Sequence, residues 1–299
     1  MDVFLTSRIV TDILEGLTNG VIYGLVALSL VLIWRSTGIL NFAQGAMSMF
    51  ATYVGMIVFA HDLSYWPLVA IAIAMGFVLG GTTERVLVRH LYGKPEINPI
   101  VVMVGFLIVL EAAAAAIWST ESRGIPNPFS PIDWRLQGKP VALSAFSLYE
   151  IATALVVMSA VAVLFRFTKL GLQLRASALA PEVSRLLGVR VSRMLTLGWI
   201  LSTGVGTIAA VLVASNFFTG LTPTMMDSIF AFGFIAAAVG GLESPVGAVV
   251  AGISMGIILQ LVGDFINSNA IILTALIILI VSLMARPNGV FTKSTARRV

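Results

Sequence analysis

Residues 98–118 read NPIVVMVGFLIVLEAAAAAIW, a stretch of 21 residues with one charged side chain, Glu111. A bilayer's hydrocarbon core is about 30 Å thick and takes roughly 20 apolar residues of α-helix to cross. Lipid offers the backbone no hydrogen-bond partners, so a chain that enters it must satisfy its own N–H and C=O groups. The stretch therefore reads as a membrane-spanning helix, and it sets the expectation for the rest of the chain.

Working outward, comparable runs occupy residues 12–34, 39–60, 66–88, 148–166, 194–216, 226–242, 245–264 and 269–285. The run 226–242 is short and broken by glycine, and 39–60 opens on the polar Asn41 and Gln44, so either suits a re-entrant or discontinuous helix. The expected fold is all-α: a polytopic bundle of about eight to nine membrane spans, forming a single domain over residues 1–299. Composition agrees, at 58% hydrophobic and 11% charged residues with mean hydropathy +1.00, where a soluble domain carries about 25% charged residues. The first run, near Asp2, Arg8, Asp12 and Glu15, lacks a basic leader and a small-residue cleavage site and reads as a retained span.

The net charge of +4 does not indicate nucleic acid, because the basic residues lie between apolar runs rather than in a stripe with interleaved aromatics. They report topology instead, since short cytoplasmic loops hold an excess of Lys and Arg. Arg85, Arg89 and Lys94 follow the third run; Arg166, Lys169, Arg175, Arg185, Arg190 and Arg193 follow the fifth; Arg286, Lys293, Arg297 and Arg298 form the tail. Nine crossings put all three groups inside and leave the N-terminus, His61-Asp62, residues 119–147, Asp227 and Asp264 outside. Tyr65, Trp66 and Trp118 then fall at the outer interface and Trp34 at the inner one. The outer stretch 119–147, rich in Pro and Gly and containing Trp134, suits either a docking surface for an external partner or a short interfacial cap.

Chemistry is constrained as much by what is missing. Cysteine is absent and the two histidines, His61 and His90, flank an apolar run, so neither a disulfide framework nor a metal site is expected. Gly93-Lys94 and Gly138-Lys139 are each followed by Pro rather than Ser or Thr, which excludes a phosphate-binding loop, and no His-Glu-x-x-His pair occurs. No catalytic residues, metal or cofactor of the chain's own are expected.

Three segments remain for mechanism. The inner segment Pro181-Glu182-Val183-Ser184-Arg185-Leu186-Leu187-Gly188 reads as a short helix with Pro at its first position, an early acid and a glycine stop. It is too short to stand alone, and Val183, Leu186 and Leu187 share one face beside Arg185. That face either docks against a partner or lies on lipid headgroups. A second set, Asn19, Tyr23, Asn41, Gln44, Ser48 and Glu111, places polar groups inside spans. They either line a water-filled translocation path or hydrogen-bond between helices. The third, Gly240-Gly241-Leu242-Glu243-Ser244-Pro245-Val246-Gly247 with Gly252 and Gly256, supplies small residues for close helix packing and a Pro–Gly break for a hairpin or hinge.

Taken together, three motifs resemble the LivH-like permeases of high-affinity branched-chain amino acid ABC importers. They are Asn19-Gly20-Val21-Ile22-Tyr23-Gly24 with Gly38-Ile39-Leu40-Asn41-Phe42-Ala43-Gln44-Gly45, Arg175-Ala176 through Pro181-Glu182 to Leu186-Leu187-Gly188-Val189, and Ala238-Val239 through Pro245 to Ala248. The resemblance runs from about residue 18 to 288. It departs at Ile229 to Phe234, which lacks a basic residue, and at Glu243, where a small residue is more usual. It implies a bacterial inner-membrane permease subunit, with a second related permease, two cytoplasmic ATPases that bind the ATP, and an external solute-binding protein as partners. The coupling loop would span about 168–193. Solutes of such permeases include leucine-type amino acids, urea and short amides. An ion-gradient-driven secondary transporter is the alternative the residues leave open.

Overall fold

The computed structural model describes residues 2–57, 64–95, 97–125, 127–129, 135–136, 139–140, 144–216, 220–287 and 289–292, with side chains described from Arg8 onward except in 130–143. His61, Asp62 and the tail residues Lys293, Arg297 and Arg298, used in the topology count, and Trp134 of the stretch 119–147 lie outside them.

Among the described residues the chain forms eleven α-helices: α1 (Asp2–Thr37), α2 (Gln44–Ile57), α3 (Tyr65–Val86), α4 (Ile97–Trp118), α5 (Ala145–Phe167), α6 (Lys169–Leu179), α7 (Pro181–Leu186), α8 (Val191–Ala214), α9 (Asp227–Gly240), α10 (Pro245–Phe265) and α11 (Ala270–Ala285). A 3-10 turn, Val88–Leu91, extends α3, and the two-residue strands β1 (Arg135–Leu136) and β2 (Lys139–Pro140) pair antiparallel between α4 and α5. The all-helical expectation holds.

The expected eight to nine spans are not all matched by full-length helices. Among the described residues, six helices are long and apolar enough to cross a membrane: Arg8–Thr37, Tyr65–Leu91, Ile97–Trp118, Ala145–Phe167, Val191–Ala214 and Pro245–Phe265. The runs at 39–60, 226–242 and 269–285 fold as α2, α9 and α11, of 14, 14 and 16 residues. At 1.5 Å per residue these reach about 21–24 Å, less than the roughly 30 Å hydrocarbon core.

The chain divides into two compact units, one of residues 1–31, 129–155 and 231–299 and the other of residues 32–128 and 156–230. In the second, α8 is the central helix. Residues from Ser202 to Thr207 and from Ala209 to Ala214 are all buried, and α8 packs against α2, α3 and α6. Small residues allow this. A Cβ at Gly80 would meet the Trp199 carbonyl oxygen at 2.6 Å, and one at Gly55 would meet Ala72 at 2.8 Å. In contrast α4 and α5 expose Val101, Ile108, Val109, Leu155 and Val156, as lipid-facing helices do.

In the first unit, α1 and α10 run in backbone contact. A Cβ at Gly16 would meet the Ile257 Cα at 2.7 Å, one at Gly20 the Ile253 Cα at 2.8 Å, and one at Gly252 the Gly24 Cα at 2.6 Å; one at Gly256 would fall on Gly20. Glycine every fourth residue on α1 thus faces glycine every fourth residue on α10, the small-xxx-small seam by which helices associate in lipid.

Candidate functional site

Asn41, Gln44 and Ser48 come together at the start of α2 and are fully buried. The Asn41 Oδ1 accepts from the Ala43 backbone N–H at 3.0 Å, turning the chain into the helix, while its Nδ2 donates to Gln44 Oε1 at 3.0 Å. Gln44 Nε2 donates to the Ser202 carbonyl oxygen of α8 at 3.2 Å, and Ser48 Oγ donates to the Gln44 carbonyl oxygen at 2.8 Å. Gly206 leaves the space these side chains fill, since a Cβ there would strike Gln44 and Ser48. Gln44 thus forms a polar clasp between α2 and α8, around which Asn41 and Ser48 are hydrogen-bonded.

Asn19 and Tyr23 belong to the other unit. Asn19 Nδ2 donates to Gln260 Oε1 at 3.3 Å, and Gln260 Nε2 donates to Glu15 Oε2 at 2.9 Å. The Tyr23 ring packs against Phe232 at 5.3 Å between centroids. At the far end of this seam Arg8 grips Asp264 with two bonds of 2.6 and 2.8 Å. Glu111, half-buried on α4, lies within side-chain hydrogen-bonding contact of Asp227 at the start of α9. It therefore has the carboxyl partner that the sequence did not reveal.

The segment 168–189 is better defined than its length suggested. Thr168 caps α6, accepting from the Gly171 N–H at 3.1 Å. Pro181 opens α7, and Gly188, at φ +82°, closes it, its N–H bonding the Arg185 carbonyl oxygen at 3.0 Å while the Val189 N–H reaches that of Ser184 at 2.9 Å. Only a residue without a Cβ takes that left-handed turn at no cost. Ser184 is buried, but Leu179, Val183, Leu186 and Leu187 are 87%, 55%, 89% and 78% exposed. Glu182 and Arg185 flank them, also exposed. Both α6 and α7 pack on α8.

The glycine-rich motif is a tight helix–helix turn. Gly240 ends α9, Gly241 adopts φ +100°, Ser244 caps α10 by accepting from the Gly247 N–H at 3.0 Å, and Pro245 takes the first helical position. Gly240 and Gly247 touch backbone to backbone. The later chain closes on this turn, with the Val290 N–H bonding the Val239 carbonyl oxygen at 2.8 Å. Gly252 and Gly256 serve the seam with α1 instead. Glu243 is exposed.

Sequence reasoning missed five features. Glu84, fully buried inside the third run, accepts from Arg89 Nη2 at 2.9 Å and from Thr196 Oγ1 at 2.6 Å, tying α3 to α8; the acid within an apolar run was its signal. Burial, with Glu84 nearby, pushes the Tyr92 hydroxyl above the ordinary phenol range. Gly16, Gly20 and Gly24 were legible as a four-residue period. Glu150 is buried on α5 with neither carboxyl oxygen hydrogen-bonded among the described residues. Trp118 stacks on Tyr53 at 4.9 Å, and Tyr53 Oη donates to the Leu221 carbonyl oxygen at 3.3 Å, joining α4, α2 and the segment before α9.

Residues 12–282 match the family described as branched-chain amino acid transport system, permease component. The chain is similar to the high-affinity branched-chain amino acid transport system permease protein BraD of Pseudomonas aeruginosa, 24% identical with 96% of this chain and 97% of that protein covered. It is similar also to LivH of Escherichia coli, a protein of the same description, 23% identical with 95% and 96% covered. Among solved structures, PsaBC from Streptococcus pneumoniae in complex with Fab shares the fold, with TM-score 0.52, 14% identity, and 92% of this chain and 91% of that chain covered. With a family match spanning nearly the whole chain and the membrane-length helices that match requires, this chain belongs to the permease-component family of branched-chain amino acid transport systems.

Proposed function

We propose that the chain is the membrane permease subunit of an ATP-driven importer of branched-chain amino acids, receiving solute from an external binding protein and driven by two cytoplasmic ATPases beside a second related permease. It holds no ATPase site, cofactor or metal of its own, and it lies in a bacterial inner membrane with its N-terminus outside and its C-terminus in the cytoplasm. The observation that carries this reading is the apolar face of α7. Val183 and Leu186 of this proline-started helix stand exposed, together with Leu179 at the end of α6 and Leu187 just before the Gly188 stop. Such a cluster is costly unless covered, and an ATPase surface would cover it, with Glu182 and Arg185 pairing at its rim.

Movement of α7 has a direct route inward. Ser184 and the Val189 turn attach it to the base of α8; α8 carries Thr196, bonded to Glu84 of α3, and Ser202, bonded to Gln44 of α2. A push on α7 would therefore tilt α8 with the two helices clasped to it, and Asn41, Gln44 and Ser48 would meet solute only once that clasp opens. Asn19, Tyr23 and Glu111 would add polar positions to the path, and the turn at Gly240, Gly241, Pro245 and Gly247 would act as a hinge. The short α2, α9 and α11 would complete their crossings with the help of flanking residues and a locally thinned bilayer, giving eight to nine passes in all.

The test is reconstitution with partner subunits from the same operon. Replacing Leu186 and Leu187 together by Ser should cut solute-stimulated ATP hydrolysis and uptake by at least about tenfold, since each buried leucine contributes about 2 kcal/mol, while helix content stays unchanged. Undiminished coupling in that variant excludes α7 as the transmission element. A second reading, solute movement driven by an ion gradient, draws on the Glu111–Asp227 contact; it requires uptake by the chain alone and its loss in Glu111→Gln. Permeation of urea or short amides would show as uptake of those solutes in the same assay.

A further inference from the structure

A cavity of about 230 Å³ opens where the end of α1, the turn after Val88–Leu91 and the start of α4 meet, all within the unit of residues 32–128 and 156–230. Trp34, Ile39 and Ile100 give it apolar walls, the Tyr92 ring adds another aromatic face, and Thr37 and Lys94 are its polar side chains. Nothing stands within 4 Å of where a Cβ would project at Gly38 or Gly93, which also border it.

We propose that this cavity is a binding site for an anionic phospholipid, with the phosphate at Lys94 and the glycerol and upper acyl segment against Trp34, Ile39 and Ile100. The size fits one end of an amphiphile. At roughly 30 Å³ per water-sized group the cavity takes about eight such groups, too few for a drug-sized solute and enough for a headgroup root whose chains continue into the bilayer. The polarity also fits, because aromatic rings and a lysine above an aliphatic wall match the interfacial layer where headgroup and hydrocarbon meet. Charge decides the class of lipid. Lys94 is exposed and has no carboxylate within ion-pair distance among the described residues, whereas Arg89 on the same turn is committed to Glu84. Basic pockets at helix ends on the cytoplasmic side attract anionic headgroups. The site is independent of which solute the chain carries.

The experiment is native mass spectrometry and thermal unfolding of the full-length chain in detergent, with phosphatidylglycerol, phosphatidylcholine or inorganic phosphate added. Phosphatidylglycerol should bind and raise the unfolding midpoint where the other two do not. Lys94→Glu should weaken that binding about tenfold by reversing the charge beneath the phosphate, Lys94→Arg should preserve it, and Ile100→Trp should abolish it by filling the cavity. Binding is counted on the folded species, so a less stable variant still reports. Equal binding of phosphatidylcholine, an equal shift from inorganic phosphate, or unaltered lipid binding in both Lys94→Glu and Ile100→Trp would overturn the assignment.

Discussion

Gln44 shows how one side chain serves both packing and polarity. Its amide uses both ends, accepting from Asn41 and donating to the Ser202 carbonyl oxygen, in a site closed to solvent. Truncation leaves a donor on Asn41 and a backbone carbonyl oxygen of α8 without that partner. Gln44→Ala should destabilise the protein by about 1–3 kcal/mol, read as a lower unfolding midpoint in detergent, whereas Glu243→Ala, on an exposed turn, should change it little. The sequence placed a polar residue in an apolar run and so required a partner for it. It did not name the partner, because Ser202 lies more than 150 residues away and offers only its backbone. Glu111 was legible in the same limited way: the acid was visible, and its neighbour Asp227 was not.

At the scale of elements, the seam between α1 and α10 is the clearest case of geometry forced by residue size. Gly20 and Gly256 approach backbone to backbone, so a larger side chain must push the helices apart. Gly256→Leu should cost about 3 kcal/mol or more, beyond the usual range for overpacking because the atoms it meets are backbone and cannot rotate away. Gly105→Leu is the control: it sits on the exposed face of α4 with open space around it and should leave the yield of folded protein unchanged. Half of this seam was readable from Gly252 and Gly256. The α1 half was equally periodic but lay inside a motif read for its polar residues. The short helix α7 was legible almost to the residue, because Pro181 and Gly188 mark its ends by backbone chemistry alone. The preceding α6 was not, since Lys169–Leu179 mixes charges and leucines without such marks at both ends.

For the whole molecule, orientation is the property most open to direct measurement. The chain has no cysteine, so single cysteines can be introduced without background. Thr120→Cys, just past α4, should react with a membrane-impermeant maleimide on intact cells, and Ala178→Cys, exposed on α6, only after lysis. The reverse pattern would invert the proposed orientation and leave α7 out of reach of any cytoplasmic ATPase. The lysine and arginine distribution supports the expected result, because their excess between α5 and α8 belongs on the cytoplasmic side.

By itself the sequence determined that the chain is helical and membrane-embedded, where its apolar runs lie, and which segment between α5 and α8 is a capped short helix. These follow from hydropathy and backbone chemistry, which are local. Only the tertiary structure decided that three of the runs fold as helices of 14 to 16 residues, that Gln44 clasps α8, that Glu84 pairs with Arg89, and that glycines of α1 and α10 meet. Those outcomes depend on which distant backbones approach one another, and no single run of residues carries that information.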